Sequence, residues 1–210
     1  MRHSAVHLLD LSARRLVSVT RPKYKKPPKL AVPAKIWNQI EMGNEAIRQG
    51  FPIQATTHFK TAKEMQKNLS PDLEHIRLSA YLATCSGFTN TELLLATQNR
   101  LSPIKIESNL KRAKGFYNKT KDTFQRSRES VPIEGLGVRL DELTIRATRI
   151  RLDSSPEEEI DPETASALLQ EFQALETELL AISDGGNEAK TYQLSYNLKS
   201  WIEFFHACTQ

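Results

Sequence analysis

Cysteine, glycine-rich loops and long apolar runs are all scarce in this chain, and each absence excludes a class of protein. Of its 210 residues only Cys85 and Cys208 are cysteines, far apart and without C-x-x-C spacing, so neither a disulfide framework nor a thiolate metal site is expected. A reducing compartment is the default for such a sequence. No apolar run approaches the roughly 18 residues of a membrane-spanning helix, so we expect no integral membrane protein.

The sequence also lacks the local motifs on which many catalytic sites are built. It has no glycine-rich phosphate loop, no G-x-G-x-x-G, no G-x-S-x-G elbow and no H-E-x-x-H pair. His3 and His7 have helical i, i+4 spacing with Asp10 nearby, but a chain terminus is a poor scaffold for a metal site. Cys85 lies in an apolar run, which favours a buried structural thiol over a nucleophile. We therefore expect no enzyme, no cofactor and no metal.

What the sequence does have is charge sorted into blocks, although the whole chain carries a net charge of only +4. Residues 1–30 hold eight Lys/Arg against one Asp, and residues 100–151 hold thirteen against six Asp/Glu. Residues 31–99 are balanced, and residues 152–210 reverse the sign with two against twelve. Such sorting indicates one part that contacts a polyanion and another that contacts a basic partner or the chain's own basic part.

The N-terminal segment is rich in Arg and Lys and carries Asp10 as its only acid. Val6, Leu9 and Leu16 fall roughly on one helical face, an acid-poor amphipathic pattern typical of a mitochondrial presequence. A plain basic tail explains the same composition, so the expected localisation is mitochondrial or otherwise cytoplasmic. Residues 21–29 hold three prolines and five cations, a composition that favours an extended arm.

Helix-start signals recur along the rest of the chain. A Ser or Asp before Pro supplies an N-cap acceptor and then a residue already fixed at a helical φ, at Ser70-Pro71, Ser102-Pro103, Ser155-Pro156 and Asp161-Pro162. Thr89 and Glu92 have the spacing of a capping box. Apolar residues recur at helical spacing between these points and period-two alternation is scarce, which predicts an all-α fold. The eight predicted helices are 34–49, 53–68, 71–86, 90–100, 103–129, 136–152, 162–183 and 188–207.

Short glycine-containing turns separate several of these predicted helices. They lie at Gly50-Phe51-Pro52, Gly87-Phe88 and Gly185-Gly186. Short turns favour antiparallel helical hairpins, stacked as a bundle or a short repeat array. We expect three parts, namely a basic arm at 1–33, a helical-hairpin domain at 34–152 and an acidic C-terminal helical pair at 153–210 that packs on it.

Residues 36–69 carry small and aromatic residues at a spacing that lets two helices approach closely while one ring fills the groove between them. The residues at these positions are Gly43, Gly50, Ala55, Phe59 and Ala62. The pattern resembles a single tetratricopeptide-type helical hairpin, although Gln39, Ala46 and Lys67 depart from it. The resemblance implies a stacked-hairpin scaffold that binds partners and does not transform substrates.

The segment 103–129 is predicted to be an amphipathic helix with a cationic face. Its apolar side comprises Ile106, Leu110, Ala113, Tyr117 and Phe124. Together with the arm it supplies our candidate nucleic-acid-binding residues, which are Arg21, Lys23, Tyr24, Lys25, Lys26, Lys29, Lys111, Arg112, Lys114, Lys121 and Arg128. Cations that neutralise phosphates and a tyrosine that stacks on a base predict binding that depends strongly on salt and little on sequence. The alternative is a solvated face that pairs with the acidic C-terminal helices.

These features lead us to expect a non-enzymatic helical scaffold in a ribonucleoprotein particle, in a setting like the mitochondrial ribosome. Its partners would be RNA phosphates and protein subunits. One alternative is a helical-repeat adaptor that binds a peptide or a helix, without nucleic acid, in a groove lined by Phe59. A further alternative is a membrane-surface protein whose N-terminal segment and lysine arm bind anionic lipid.

Overall fold

The computed structural model describes residues 31–98, 102–127, 132–154, 160–182 and 188–209. Within these ranges the chain forms seven α-helices and no strand, which confirms the predicted all-α class. The helices are α1 Ala31–Arg48, α2 Pro52–Gln66, α3 Glu74–Gln98, α4 Pro103–Arg126, α5 Pro132–Asp153, α6 Pro162–Ile182 and α7 Glu188–Cys208, and a 3-10 turn at Pro71–Leu73 precedes α3. The predicted arm at 21–29, the helix start at Ser155-Pro156 and the turn at Gly185-Gly186 lie outside the described residues.

Prolines open several of these helices, as their spacing in the sequence predicts. Pro103 begins α4 and Pro162 begins α6. The Asp161 carboxylate caps α6, because its Oδ2 accepts from both the backbone N–H and the hydroxyl of Thr164 at 2.9 Å. These two hydrogen bonds stabilise the ionised form and lower the pKa of Asp161. Ser70-Pro71 opens the 3-10 turn that leads into α3.

The predicted break at Gly87-Phe88 is wrong, because α3 runs without interruption through both residues. Glycine weakens a helix, but here packing requires one, since a Cβ on Gly87 would lie 2.4 Å from the Phe59 ring. Thr89, predicted to cap the start of a helix, lies in mid-helix and donates its hydroxyl to the Cys85 carbonyl at 3.1 Å. The two helices predicted on either side of this point are therefore one continuous helix.

Helices α1, α2 and α3 pack around one ring, Phe59 of α2, which is fully buried. The ring lies against Gly43 of α1 and Gly87 of α3, where an added Cβ would come within 2.7 and 2.4 Å of it. Phe59 also contacts Phe88, with ring centroids 5.7 Å apart. The structure therefore contains the close helical hairpin that the small and aromatic residues of 36–69 predict. Membership of a repeat family stays a prediction.

The burial of Phe59 corrects one alternative from the sequence. A groove that binds a peptide or a helix must present its lining side chains to solvent, whereas Phe59 has 0% exposure. The Phe59 ring already fills the space beside both flanking glycines, Gly43 and Gly87. The prediction that Phe59 lines a binding groove is therefore wrong, because the third helix, α3, covers the hairpin at this point.

Helix α5 shares a second core with the two C-terminal helices. The buried residues of this cluster are Leu136, Leu140, Leu143, Ala147, Ile160, Ala165, Leu168, Phe172, Leu175, Leu179, Leu198 and Phe205. Phe172 stacks on Trp201 and Phe205 of α7, at centroid distances of 5.8 and 5.9 Å. α5, which precedes the predicted boundary at residue 153, thus packs its apolar face against the two helices that follow that boundary.

The opposite side of α5 carries polar groups that bond to α3. The Ser79 hydroxyl bonds to Glu134, and the Ser86 hydroxyl donates to Asp141 Oδ1 at 2.9 Å. Both pairs are separated by 55 residues, so α3 and α5 run parallel, with α4 as the antiparallel connection between them. A small apolar cluster of Leu93, Ala96, Leu110 and Ala113 fills the space where α3 and α4 meet.

Candidate polyanion-binding surface

Helix α4 is amphipathic in the way that its sequence predicts. Leu110, Ala113 and Tyr117 are buried, and Ile106 and Phe124 are half-buried on the same side. The helix carries seven Lys/Arg against two Asp/Glu, and all of these charges lie on its solvent side or at its edges. The predicted separation into an apolar face and a cationic face is therefore confirmed for residues 103–126.

Four of the five lysines of α4 are exposed. Lys111 and Lys114, both candidate binding residues, are exposed, as are Lys105 and Lys119. Lys121 is half-buried, and its ammonium lies 5.8 Å from the centroid of the Tyr117 ring. Among the residues that the structure describes, none of these five lysines forms an ion pair. Their charge is therefore available to an external anion.

Arg112 differs from these lysines because its charge is already engaged. Its Nε donates to Glu92 Oε2 of α3 at 2.9 Å, and its Nη1 donates to the Ser108 hydroxyl at 3.3 Å. The Glu92 carboxylate is largely buried, which keeps this pair from being fully screened. Arg112 thus fixes α4 to α3 and contributes less free charge than its neighbours. Arg128 lies outside the described residues.

The remaining candidates belong to the N-terminal arm. They are Arg21, Lys23, Tyr24, Lys25, Lys26 and Lys29, and all lie outside the described residues. Their contribution is therefore a matter of sequence composition alone.

Two of the four acids of α6 pair with arginines of α5, and none of the four pairs with α4 among the described residues. Arg139 and Arg146 of α5 bond Glu178 and Glu171 of α6 through both guanidinium nitrogens, at 2.5 to 3.0 Å. Arg149 bonds Glu107 of α4 at 2.5 Å, which removes one of that helix's two acids from its surface charge. Within the described ranges α4 makes no ion pair with α6 or α7. The alternative in which the basic helix pairs with the acidic helices stays a prediction.

Sequence analysis did not single out Lys63 of α2, whose charge acts on the buried Cys85 thiol. Burial raises the pKa of the Cys85 thiol of α3, and the ammonium groups of Lys63 and Lys119 both oppose that rise. Cys85 itself is the buried structural thiol that the sequence predicts.

A buried carboxyl behind α4 was also missed. Asp141 is 3% exposed, and its Oδ1 accepts from Ser86 at 2.9 Å and from the Asn90 amide at 3.1 Å. Its Oδ2 and the buried Tyr117 hydroxyl have no hydrogen-bond partner within the described residues. Burial raises the pKa of Asp141 to about 7, so its carboxyl is half protonated near neutral pH. One sequence signal existed, since Asp141 sits between the apolar positions Leu140 and Leu143.

Three further features concern cavities, metal-binding groups and membrane-spanning helices among the described residues. A shallow depression between α5, α6 and α7 is lined by leucines alone, such as Leu136 and Leu194. The described side chains include no cluster of three His, Cys, Asp or Glu placed to hold a metal ion. Nor does any helix in the described ranges combine the length and apolar content needed to cross a bilayer.

Comparison of the chain with protein-family models, with curated proteins and with solved structures gives no match.

Proposed function

We propose that this protein is a non-enzymatic helical scaffold that binds RNA by its phosphate backbone, as a component of a ribonucleoprotein particle. The observation that carries the proposal is a contrast between neighbouring helices. Arg139, Arg146 and Arg149 of α5 are paired with acids, whereas four of the five lysines of α4 are exposed and none of the five has an acidic partner among the described residues. A surface kept cationic beside available acids favours a polyanionic ligand.

The form of the surface supports phosphate contacts over base recognition. Lys105 and Lys121 lie about 24 Å apart along the helix axis, at 1.5 Å per residue, which is enough for several phosphates. Lysine is a flexible point charge, in contrast to the planar fork of arginine that reads guanine edges. The described part of α4 therefore suits binding that tolerates many sequences, with selectivity from RNA shape or from neighbouring proteins.

The composition of the N-terminal arm also supports the proposal of RNA binding. Residues 21–29 combine five cations with three prolines and Tyr24, which suits an extended segment that follows an RNA backbone and stacks on a base. The acid-poor segment before it fits a mitochondrial address, and the setting that we propose is a particle like the mitochondrial ribosome.

Contacts with protein subunits would use a different surface. The Gln98 side chain donates to the Gly50 carbonyl at 3.1 Å, which places the α1–α2 turn beside the end of α3. Phe51 and Ile53 follow that turn and are 49% and 80% exposed. Apolar side chains exposed beside a structural turn are candidates for a protein contact.

The proposal is tested by measuring RNA affinity as a function of salt. The full chain and the K111Q/K114Q variant are titrated into a labelled single-stranded RNA between about 50 and 200 mM salt. Each lost phosphate contact lowers the slope of log affinity against log salt by about 0.7, so the double variant is expected to lose about 1.4.

The matched control removes the same charge elsewhere. Lys35 of α1 and Lys199 of α7 are exposed lysines outside α4, so K35Q/K199Q has the same net charge as K111Q/K114Q. The proposal predicts that the control keeps the original slope. Equal losses in the two variants would show that only net charge matters, and an affinity independent of salt would contradict phosphate binding altogether.

A further inference from the structure

Gly115 lies in the middle of α4, on the solvent side of the helix. A glycine at such a position weakens a helix relative to alanine. A Cβ placed at residue 115 would meet no neighbouring atom within 4 Å. The position therefore has room for a side chain, and nothing in the described part of the chain requires the side chain to be absent.

Three glycines inside other helices are explained by aromatic rings. A Cβ at Gly43 or Gly87 would lie 2.7 or 2.4 Å from the Phe59 ring, and a Cβ at Gly135 would lie 3.0 Å from the Phe124 ring. In each case the missing side chain lets a ring from a neighbouring helix approach the backbone. The glycine of α4 has no such ring beside it, so packing between helices does not account for it.

The residues one turn before and one turn after Gly115 are cationic. Lys111 and Lys119 precede and follow it by four positions, so the three residues lie in one row along the helix. Both lysines are exposed, and neither forms an ion pair among the residues that the structure describes. The Lys119 ammonium lies 5.5 Å from the centroid of the Phe116 ring, which restricts its position. We call the open site at Gly115, between these two lysines, the notch.

The helix around the notch carries charge of one sign. Residues 108–121 hold five Lys/Arg and no Asp/Glu, and Gly115 lies near their centre. The two acids of α4, Glu107 and Asp122, lie just outside this stretch, and Glu107 is bonded by Arg149 of α5. Like charges held on one face repel each other unless an anion lies between them. The notch therefore favours an anionic group.

We propose that Gly115 is the point at which a bound RNA strand comes closest to α4, with a backbone phosphate over the glycine and between Lys111 and Lys119. This inference rests on the RNA binding proposed above and deepens it, because it gives the place of the strand on the helix. The missing side chain lets the sugar-phosphate backbone approach the helix surface. Both ammonium groups can then donate to the same phosphate. The glycine thus weakens α4 in the free protein and removes an obstacle in the complex.

The test compares stability and RNA affinity in variants at residue 115 of the full chain. Gly115→Ala and Gly115→Leu place side chains in open space, so urea unfolding is expected to find both at least as stable as the original chain. Their affinity for a labelled single-stranded RNA is expected to fall several-fold, and more for leucine than for alanine, because each fills the notch. The matched control, Ala174→Leu, places the same leucine at an exposed position of α6 and should retain the original affinity.

A salt titration tests the contact of Lys119 with the phosphate. K119Q is expected to lower the slope of log affinity against log salt by about 0.7, the value for one contact with a single strand. K199Q of α7 removes the same charge from an exposed site outside α4 and should retain the original slope.

The outcomes separate this inference from the function on which it rests. A stable Gly115→Leu variant with weakened binding supports the notch, since a purely structural glycine would not change stability and affinity in opposite directions. Equal affinities of Gly115→Leu and Ala174→Leu would overturn the notch, and RNA binding by α4 would still stand if K111Q/K114Q lowers the slope. Losses of stability that match the losses of affinity would also overturn it. An original chain whose RNA affinity does not depend on salt would overturn both proposals.

Discussion

The Phe59 ring lies directly against the backbone of Gly87, so that a Cβ at residue 87 would be 2.4 Å from the ring. This contact sets how closely α2 approaches α3, because the Phe59 ring occupies the space that a side chain at residue 87 would fill. It also holds Phe88 and, through it, Phe116 of α4 in their stacked positions. The position of the cationic helix thus depends on a contact between a ring and a glycine in the core.

Gly87→Ala is expected to destabilise the protein. The added methyl overlaps a fully buried ring, and overpacking of this kind costs about 1–3 kcal/mol of unfolding free energy. Urea unfolding measures the change. Gly115→Ala is the matched control, because a Cβ there meets no atom within 4 Å. It is expected to stabilise α4 by about 0.5–1 kcal/mol.

The contact between Phe59 and Gly87 predicts that substitutions at these two residues have non-additive effects on the free energy of unfolding. Phe59→Leu shortens the side chain that the methyl would meet, so Gly87→Ala should cost less in that background than in the original chain. Additive effects, or a Gly87→Ala variant as stable as Gly115→Ala, would contradict the contact.

The raised pKa of Asp141 leads us to predict that the folded protein becomes less stable as pH rises. Burial raises its pKa to about 7 in the folded protein, whereas a carboxyl in the unfolded chain titrates near its usual value of about 3.9. The folded state therefore holds the proton more tightly, and stability falls by up to about 1.4 kcal/mol per pH unit as pH rises from about 4 to 7. Asp141→Asn keeps the acceptor for Ser86 and removes the charge, so it is expected to be more stable than the original chain at pH 8.

Unfolding curves at several pH values check this expectation. Asp122→Asn on the solvent side of α4 is the control and should retain the original pH profile. An Asp141→Asn variant whose stability falls with pH as steeply as that of the control would show that Asp141 is not the titrating group.

The two cysteines are expected to react at different rates with a thiol reagent. Cys85 is buried and its pKa is raised by burial, so little thiolate is present and access is poor. Cys208, near the end of α7, is only partly buried. The native protein should therefore show one fast and one slow thiol, and Cys85→Ser should remove the slow one. Two thiols of equal reactivity in the native state would contradict the packing of α3.

Substitutions at two neighbouring residues of α6 compare the stability cost of losing a surface ion pair with that of losing a core side chain. Glu171 bonds Arg146 at an exposed site, so Glu171→Gln is expected to cost less than about 1 kcal/mol, and less again at high salt. Phe172 is fully buried beside Trp201 and Phe205, so Phe172→Ala is expected to cost about 3–5 kcal/mol. Thermal unfolding of the two variants compares these costs, and similar losses would contradict the assignment of the core.

The parts of the fold that the sequence predicted correctly depend on local interactions. Asp161-Pro162 starts a helix because the cap and the proline act within one turn, and α4 is amphipathic because its apolar residues repeat at helical spacing. The prediction of a turn at Gly87 was wrong, because a glycine is needed there for the close contact with the Phe59 ring, which lies on another helix. Thr89 was misread with it, since its hydroxyl bonds within α3.

The candidate site, too, was predictable only where it depends on local sequence. Lys111 and Lys114 follow from the periodicity of α4, because exposure on an amphipathic helix is a local property. The engagement of Arg112 by Glu92 was not predicted, since Glu92 had been assigned to a helix cap. The effect of Lys63 on the Cys85 thiol was not predicted either, because it depends on the packing of α2 on α3. Contacts between helices are the part that one sequence does not reveal.

The most direct test of the central claim is sedimentation of the tagged protein from organelle and cytosolic lysates, with and without ribonuclease. We predict that the full chain migrates in a large particle that ribonuclease disperses, and that K111Q/K114Q is released from it at lower salt than K35Q/K199Q. Migration as a small protein that ribonuclease does not change would contradict RNA binding as the function of the α4 surface.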